Sequence, residues 1–168
     1  MSDAVDAIVG QWEAERPDLA DHLWPVHLLA RVQRLARAVE KNCKATAARH
    51  GLEYGEFDVL TTLKRSGPPY QLTAGAFLKA AMVTSGAITN RIDKMEAKGL
   101  VERVREGSDR RTVQIRLTEH GSTLIDAAMA EHLAAYEELL AGVDRDTVER
   151  TARGLREISE ALGDTSIV

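Results

Sequence analysis

Apolar residues recur at helical spacing through most of the chain. The first stripe begins at Val5 and reaches Trp12, which predicts an amphipathic helix over residues 4–15 that ends before Pro17. A longer stripe predicts a second helix from about Pro25 to residue 50, and a helix of that length needs a long partner. Shorter stripes predict helices over residues 56–65, 74–81, 119–141 and 144–162. The chain is therefore expected to be mainly α-helical.

Two of these helices lie close enough along the chain to form a helix-turn-helix. The short helix over residues 74–81 can be capped by Thr73, and two residues separate it from the next helix. That next helix opens at Thr84 and Ser85, and Gly99 supplies the left-handed position that commonly ends helices. The residues expected to face inward are Ile88, Ile92 and Met95. In such a motif, the second helix is the one expected to enter the major groove of DNA.

Beyond Gly99 the period of the pattern changes from helical to alternating. Apolar and polar residues alternate over residues 112–117, which predicts a half-buried strand, and residues 100–105 can form its antiparallel partner. The stretch between them, EGSDRR, contains a glycine and two adjacent arginines. A helix followed by a hairpin with a basic tip is the outline of a winged helix.

Charge supports a polyanion site in this central stretch. Residues 84–116 contain eight Lys/Arg and five Asp/Glu, a net charge of +3, whereas the whole chain has a net charge of -4. The remaining residues therefore total -7. A basic segment in an acidic chain indicates a local binding site for a polyanion more than a generally adhesive surface. The same charges are also compatible with a solvated helix face beside an ordinary hairpin.

Composition indicates an ordinary globular chain of 168 residues, with 44% hydrophobic and 29% charged residues. No apolar run is long enough to cross a membrane, and the acidic start lacks the features of a secretory signal. The single cysteine, Cys43, fits a reducing cytoplasm. A phosphate-cradling glycine loop, a nucleophile elbow and paired metal-ligating histidines are all missing, so we expect neither an enzyme nor a resident cofactor or metal.

The strings SGAITNRIDKMEAKGLVER and SDRRTVQIRLTEHG resemble the most specific stretch of the MarR family of transcription regulators. The similarity extends over almost the whole chain, and QWEAERPDL with EFDVLTTLKRSGPPYQLT is similar to the urate-responsive PecS/HucR branch. The resemblance implies a homodimeric repressor that reads a pseudo-palindromic operator in double-stranded DNA. It also implies a winged helix-turn-helix over residues 55–117. Within a single domain of residues 1–168, N-terminal helices (1–50) and C-terminal helices (118–162) would bracket that motif and form the dimer.

The residues expected to read DNA follow from their positions on the predicted elements. Small polar side chains near the start of the second helix suit base edges, a lysine one turn later suits phosphate, and the arginines of the hairpin tip suit phosphate or the minor groove. The six residues are Ser85, Thr89, Asn90, Lys94, Arg110 and Arg111.

The urate-responsive branch also implies a ligand site. Its characteristic residues fall on Trp12, Asp58, Arg91 and Arg103. An indole can stack on a planar purine, arginines can pair with an oxyanion, and a carboxylate can orient those arginines. Because Arg91 lies on the DNA-reading helix and Arg103 begins the wing, an anion that recruits these arginines is expected to compete with Asp58 and to oppose DNA binding.

Other interpretations stay open at this point. Trp12 is also compatible with a core residue, Asp58 and Arg91 with an internal ion pair, and Arg103 with a solvated strand residue. A polycarboxylate such as trans-aconitate can satisfy the same two arginines as urate. A redox or metal sensor and a helical interaction protein that never meets DNA are the remaining alternatives.

Overall fold

A computed structural model describes residues 2–73, 75–77, 88–105 and 113–165. The chain divides into two compact units, Met1–Cys43 and Lys44–Val168. The α-helices are α1 (Ala4–Glu15), α2 (Trp24–Arg49), α3 (Tyr54–Arg65), α4 (Ile88–Ala97), α5 (Glu119–Leu139) and α6 (Arg145–Ala161). A 3-10 helix spans Pro17–His22, and the strands are β1 (Gln71–Thr73), β2 (Val101–Val104) and β3 (Gln114–Leu117). The mainly helical fold with a small wing is therefore confirmed.

In the first unit, an ionic contact fixes the start of α1. Asp3 caps the helix, and its carboxylate accepts hydrogen bonds from the backbone N–H groups of Val5 and Asp6. The guanidinium of Arg31, on α2, donates to Asp3 at 2.8 Å and to Asp6 at 2.6 Å. The backbone N–H of Asp6 and the Arg31 guanidinium lower the pKa of Asp3. Of the apolar stripe of α1, Val5 and Val9 are buried.

The second unit is built on a single apolar core. Its members come from the end of α2, from α3, α4 and α5, and from the small sheet. The largest fully buried side chains include Phe77, Leu60, Leu63, Ile92, Met95 and Ile125. Helix α3 packs against α4, α5 and β3.

The sheet has three strands in the order β1-β3-β2, one more than the hairpin that the sequence pattern predicts. Strand β1 pairs antiparallel with β3, with Leu72 opposite Ile115. Only three residues long, β1 shows no alternation by itself, and it follows closely after the two prolines at positions 68 and 69. Its hydrogen-bonding partner is more than 40 residues further along the chain. Such a strand depends on tertiary pairing that local periodicity does not report.

Most helix ends agree with the sequence signals. Thr73 accepts a hydrogen bond from the Ala76 backbone N–H, Thr118 caps α5, and Asp144 caps α6. Gly99 has φ of 67°, as its predicted role at a helix end requires. Helix α3 begins at Tyr54, earlier than predicted, because the Glu56 carboxylate accepts from the Glu53 backbone N–H and extends the first turn.

Two searches of the described residues give negative findings. No helix in the described ranges is long and apolar enough to span a membrane. Within the same ranges, no group of three or more His, Cys, Asp or Glu side chains is placed to hold a metal ion.

Candidate nucleic-acid interface

Helix α4 presents one apolar face and one polar face. Ile92 is 2% exposed and Met95 is fully buried, as the sequence predicted. Three polar residues on the other faces, Thr89, Asn90 and Lys94, are exposed. A short helix held by its apolar stripe, with hydroxyl, amide and ammonium groups directed outward, has the chemistry needed to contact base edges and phosphates. Ser85, Arg110 and Arg111 lie outside the described residues.

Ion pairs account for much of the positive charge in this part of the chain. Lys98 donates to both carboxylate oxygens of Glu56 at 2.7 Å. The Arg116 guanidinium pairs with Glu102, which faces it across the sheet, at 2.9 Å. The basic residues of α4 left without a carboxylate partner, among the residues described, are Arg91 and Lys94. The net charge of +3 therefore concentrates on fewer side chains than the sequence count suggested.

Arg91 lies against the first turn of α3. A Cβ at Gly55 would lie 2.6 Å from Nη2 of Arg91 and closer still to Cζ and Nε, so the guanidinium occupies the space that glycine leaves open. Arg91 also lines a depression of about 150 Å³ together with Glu53, Asn90 and Lys94. Asn90 and Lys94 are predicted DNA contacts, whereas Arg91 is a predicted ligand contact. The structure therefore brings residues of both predicted sites into one depression.

Arg103 extends from β2 back to α4. Its guanidinium donates to Asp93 at 2.5 Å and also pairs with Glu96, whose carboxylate accepts from the Arg103 backbone N–H at 3.1 Å. The hydrogen bond to Asp93 raises the pKa of Arg103. This arginine thus links α4 to the wing.

Arg91 and Arg103 line different depressions. The one beside Arg103 has a volume of about 220 Å³ and lies between α4 and the wing. Its other lining residues are Ile88, Thr89, Ile92, Val113 and Ile115. A small anion resting on Arg91 would therefore not meet Arg103 in the same depression.

The other two predicted ligand residues have distinct environments. Asp58 is 7% exposed and lies on α3 one turn after Gly55, so it shares a helix face with the residue that Arg91 covers. Trp12 belongs to the first unit, where its side chain is half exposed. An exposed indole is available for stacking or for a protein interface.

Glu56 is a site residue that the sequence pattern did not single out. Its side chain is 1% exposed, yet its carboxylate accepts hydrogen bonds from the Lys98 ammonium and the Glu53 backbone N–H. The available sequence signal was a Glu three residues after Glu53 at the start of an apolar helical run, which is a capping pattern. That signal gives no indication of the lysine, which lies 42 positions further along the chain.

Comparison with known proteins agrees with this architecture. Residues 50–112 match the sequence profile of the MarR family. The chain is 32% identical over 136 residues to the HTH-type transcriptional regulator PecS of Dickeya dadantii, covering 81% of each protein. It is 30% identical over 128 residues to the HTH-type transcriptional regulator MhqR of Bacillus subtilis, covering 76% of this chain and 86% of that protein.

A solved structure of a MarR-like transcription regulator from Bacillus cereus superimposes with a TM-score of 0.72 at 16% identity, covering 81% of this chain and 96% of that one. At that identity the likeness concerns the fold alone. The relatives matched by sequence are transcription regulators and not enzymes. Their extent and identity, with helix α4 and the small sheet described above, establish that this chain belongs to the MarR family of transcription regulators.

Proposed function

We propose that this protein is a homodimeric repressor that binds a pseudo-palindromic operator through α4 and is released from it by a urate-like planar anion. The observation that carries the proposal is the arrangement of α4, whose exposed polar face shares a depression with Arg91. The same helix thus offers a DNA-reading face and a cation for an anionic effector. The proposal places the protein in the cytoplasm, where it would meet DNA.

DNA reading is assigned by side-chain chemistry. Thr89 and Asn90 are exposed at the start of the described part of α4 and can hydrogen-bond to base edges in the major groove. Lys94, one turn further along, suits a backbone phosphate. Ser85, Arg110 and Arg111, which lie outside the described residues, complete the proposed contact set.

A dimer is supported by the C-terminal helices. Not one residue of α6 is buried in the single chain, although the helix spans 17 residues and is strongly amphipathic in sequence. A groove of about 530 Å³ runs between α5 and α6, lined by Leu133, Leu140, Val143 and Val148 among others. A second copy of the chain would cover these apolar side chains and would place two copies of α4 on successive half-sites.

The effector would act through Arg91. An anion that pairs with this guanidinium draws it away from Gly55 and occupies the depression shared with Asn90 and Lys94. In this proposal Asp58 competes with the anion for the Arg91 guanidinium, Arg103 would couple the change to the wing, and Trp12 is the residue expected to stack on a planar ring. Because DNA and anion favour different positions of α4, each would lower the affinity for the other by the same factor.

A polycarboxylate such as trans-aconitate is the competing effector. Arg91 and Arg103 line separate depressions, and a ligand with several carboxylates can meet separate cations more easily than a compact purine can. The aromatic face of Trp12 favours the planar ligand.

The test is a titration of the protein with labelled DNA from upstream of its own coding sequence, followed by fluorescence anisotropy. The complex is then challenged with urate, xanthine, trans-aconitate and citrate. Release by urate alone supports the proposal, and release by the polycarboxylates alone replaces urate with the competing effector. Release by none of the four compounds would contradict the proposed response to an effector. If the protein does not bind this DNA at low salt, the operator-binding proposal itself is wrong.

A further inference from the structure

We propose that Glu56 is a positioning residue for DNA recognition, acting through Lys98 to fix α4 in the orientation that reads the operator. The inference rests on the proposed reading of DNA by α4 and adds a residue that would never touch DNA. It assigns a role to a buried carboxylate that neither the DNA contacts nor the effector site use.

The contact between Glu56 and Lys98 consists of short, directional hydrogen bonds. Glu56 is 1% exposed, and its Oε1 and Oε2 each lie 2.7 Å from the ammonium nitrogen of Lys98. Oε2 also accepts from the Glu53 backbone N–H at 2.9 Å, which fixes the carboxylate against the first turn of α3. Lys98 follows the last residue of α4, so the contact joins the carboxyl end of that helix to the amino end of α3.

Apolar packing alone would define the position of α4 less sharply. The described part of the helix buries Ile92 and Met95, and such contacts have no directional preference. A charge-assisted hydrogen bond has a preferred distance and angle, so it opposes rotation and sliding of the helix. Base readout is sensitive to both movements because each side chain must reach a particular base edge.

The pair is also asymmetric in its solvent exposure. The Lys98 side chain is 44% exposed and can be hydrated when its partner is lost, whereas the Glu56 carboxylate cannot. Loss of the lysine therefore leaves a buried charge unpaired, which destabilises the fold strongly. Removing both charges together avoids that penalty. This difference allows the effect on stability to be separated from the effect on position.

The experiment compares the full-length protein with Lys98→Met and with the double variant Glu56→Gln/Lys98→Met. Urea unfolding at fixed protein concentration gives the stability, and anisotropy titrations give the affinities for operator and for scrambled DNA. We expect Lys98→Met to be destabilised and the double variant to recover wild-type stability. Even so, the double variant should lose about tenfold in the ratio of operator to scrambled affinity, comparable to the loss of one good base contact. Its salt slope should stay unchanged, since no phosphate contact is removed.

Two further variants complete the design. Lys98→Arg keeps the charge and can donate to both carboxylate oxygens, so its affinity ratio should stay within about threefold of the wild type. The control Lys64→Met/Asp126→Asn removes another ion pair of α3, 2.8 Å long, which joins it to α5 and not to α4. This control should leave the affinity ratio unchanged.

The outcomes distinguish the inference from the function on which it rests. A double variant with the wild-type affinity ratio would overturn the positioning role, as would an equal loss in the Lys64 control. If the double variant does not fold, the Lys98→Arg variant decides, because a tenfold loss there would contradict the inference and a retained ratio would support it. Equal affinity of the wild-type protein for operator and scrambled DNA would instead contradict the proposed function.

Discussion

The guanidinium of Arg91 lies directly over the Cα of Gly55, in space that any other residue would fill with its Cβ. The contact joins the exposed helix α4 to the first turn of α3. Asp58 follows Gly55 by three positions and therefore lies on the same face of α3. A small movement of α4 must displace the Arg91 guanidinium, and a displaced guanidinium must move α4 or change its own rotamer.

Replacement of Gly55 by alanine should uncouple effector and DNA while the protein stays folded. The new Cβ overlaps only the end of a flexible side chain, which can move away, and alanine favours a helix over glycine by about 1 kcal/mol. We expect the free energy of unfolding to change by less than about 1 kcal/mol. The urate concentration that releases half of the DNA should rise by about tenfold. Displacement of the guanidinium would remove about 1.4 kcal/mol of the coupling free energy between urate and DNA.

Gly10→Ala is the matched control, since a Cβ at this helical glycine meets no atom within 4 Å. It should gain helix propensity without any effect on release. An unaltered release curve in Gly55→Ala, with Arg91 shown by crystallography to have moved, would mean that Arg91 does not transmit the effector signal.

Lys94 should behave as a phosphate contact. Its side chain is exposed on α4 and has no carboxylate partner among the described residues. For Lys94→Ala we expect operator and scrambled DNA to lose affinity by similar factors, and the slope of log K against log salt to become shallower by about 0.9. Titrations at four salt concentrations measure both quantities. Equal slopes for variant and wild type would rule out this contact. The control is Lys64→Ala, which removes a lysine on the side of α3 that faces α5.

The parts of the fold that could be predicted from the sequence are those with local causes. The inward positions of Ile92 and Met95 and the caps at Thr118 and Asp144 depend on spacing or on a neighbour three residues away. Strand β1 depends on pairing with β3, which becomes a neighbour only when the chain has folded. Three residues carry too little periodicity to reveal such a strand.

The candidate site shows the same difference between features with local causes and features that depend on distant contacts. Exposure of Thr89, Asn90 and Lys94 follows from helical geometry once the apolar stripe is known. Counting charges in the sequence, however, gave Lys98 and Lys94 equal weight, although Lys98 is held by a buried glutamate. Which cations remain available for DNA depends on contacts between distant segments. Residue type and local spacing therefore identify the exposed polar face of α4 but overestimate the positive charge available there.

The stability of the folded chain should fall in mild acid because of His132. This imidazole is buried between the rings of Phe57, at 5.1 Å, and Tyr136, at 4.1 Å, and burial lowers its pKa from the ordinary value of 6.5. Well above pH 6.5 both the folded and the unfolded state carry neutral His132, so its contribution to stability is constant. Below that pH the unfolded state binds a proton that the folded state resists, and stability falls by up to about 1.4 kcal/mol per pH unit.

Urea unfolding between pH 7.5 and 5 measures this effect at fixed protein concentration. His132→Phe, which stays neutral, should reduce the loss of stability on acidification. His120→Phe replaces an exposed imidazole and should keep the wild-type pH dependence. Parallel pH profiles for wild type and His132→Phe would show that the acid sensitivity arises elsewhere.

A single charge in the C-terminal groove should convert the proposed dimer into monomers. Leu133 is 51% exposed in the isolated chain, so a glutamate there would change monomer stability by only about 0.5 kcal/mol. In a dimer the same carboxylate is buried without a partner, at a cost of several kcal/mol. Sedimentation equilibrium of Leu133→Glu should therefore give the mass of one chain, 18.4 kDa, where the wild type gives twice that value. Thr123→Glu adds the same charge at an exposed position of α5 outside this groove and should remain dimeric.

Because a monomer carries one copy of α4, Leu133→Glu should also bind a single half-site as well as the wild type does, yet lose the additional affinity of the full palindrome. A monomer with undiminished affinity for the full operator would show that the two half-sites are not read together, and the symmetric repressor would have to be abandoned.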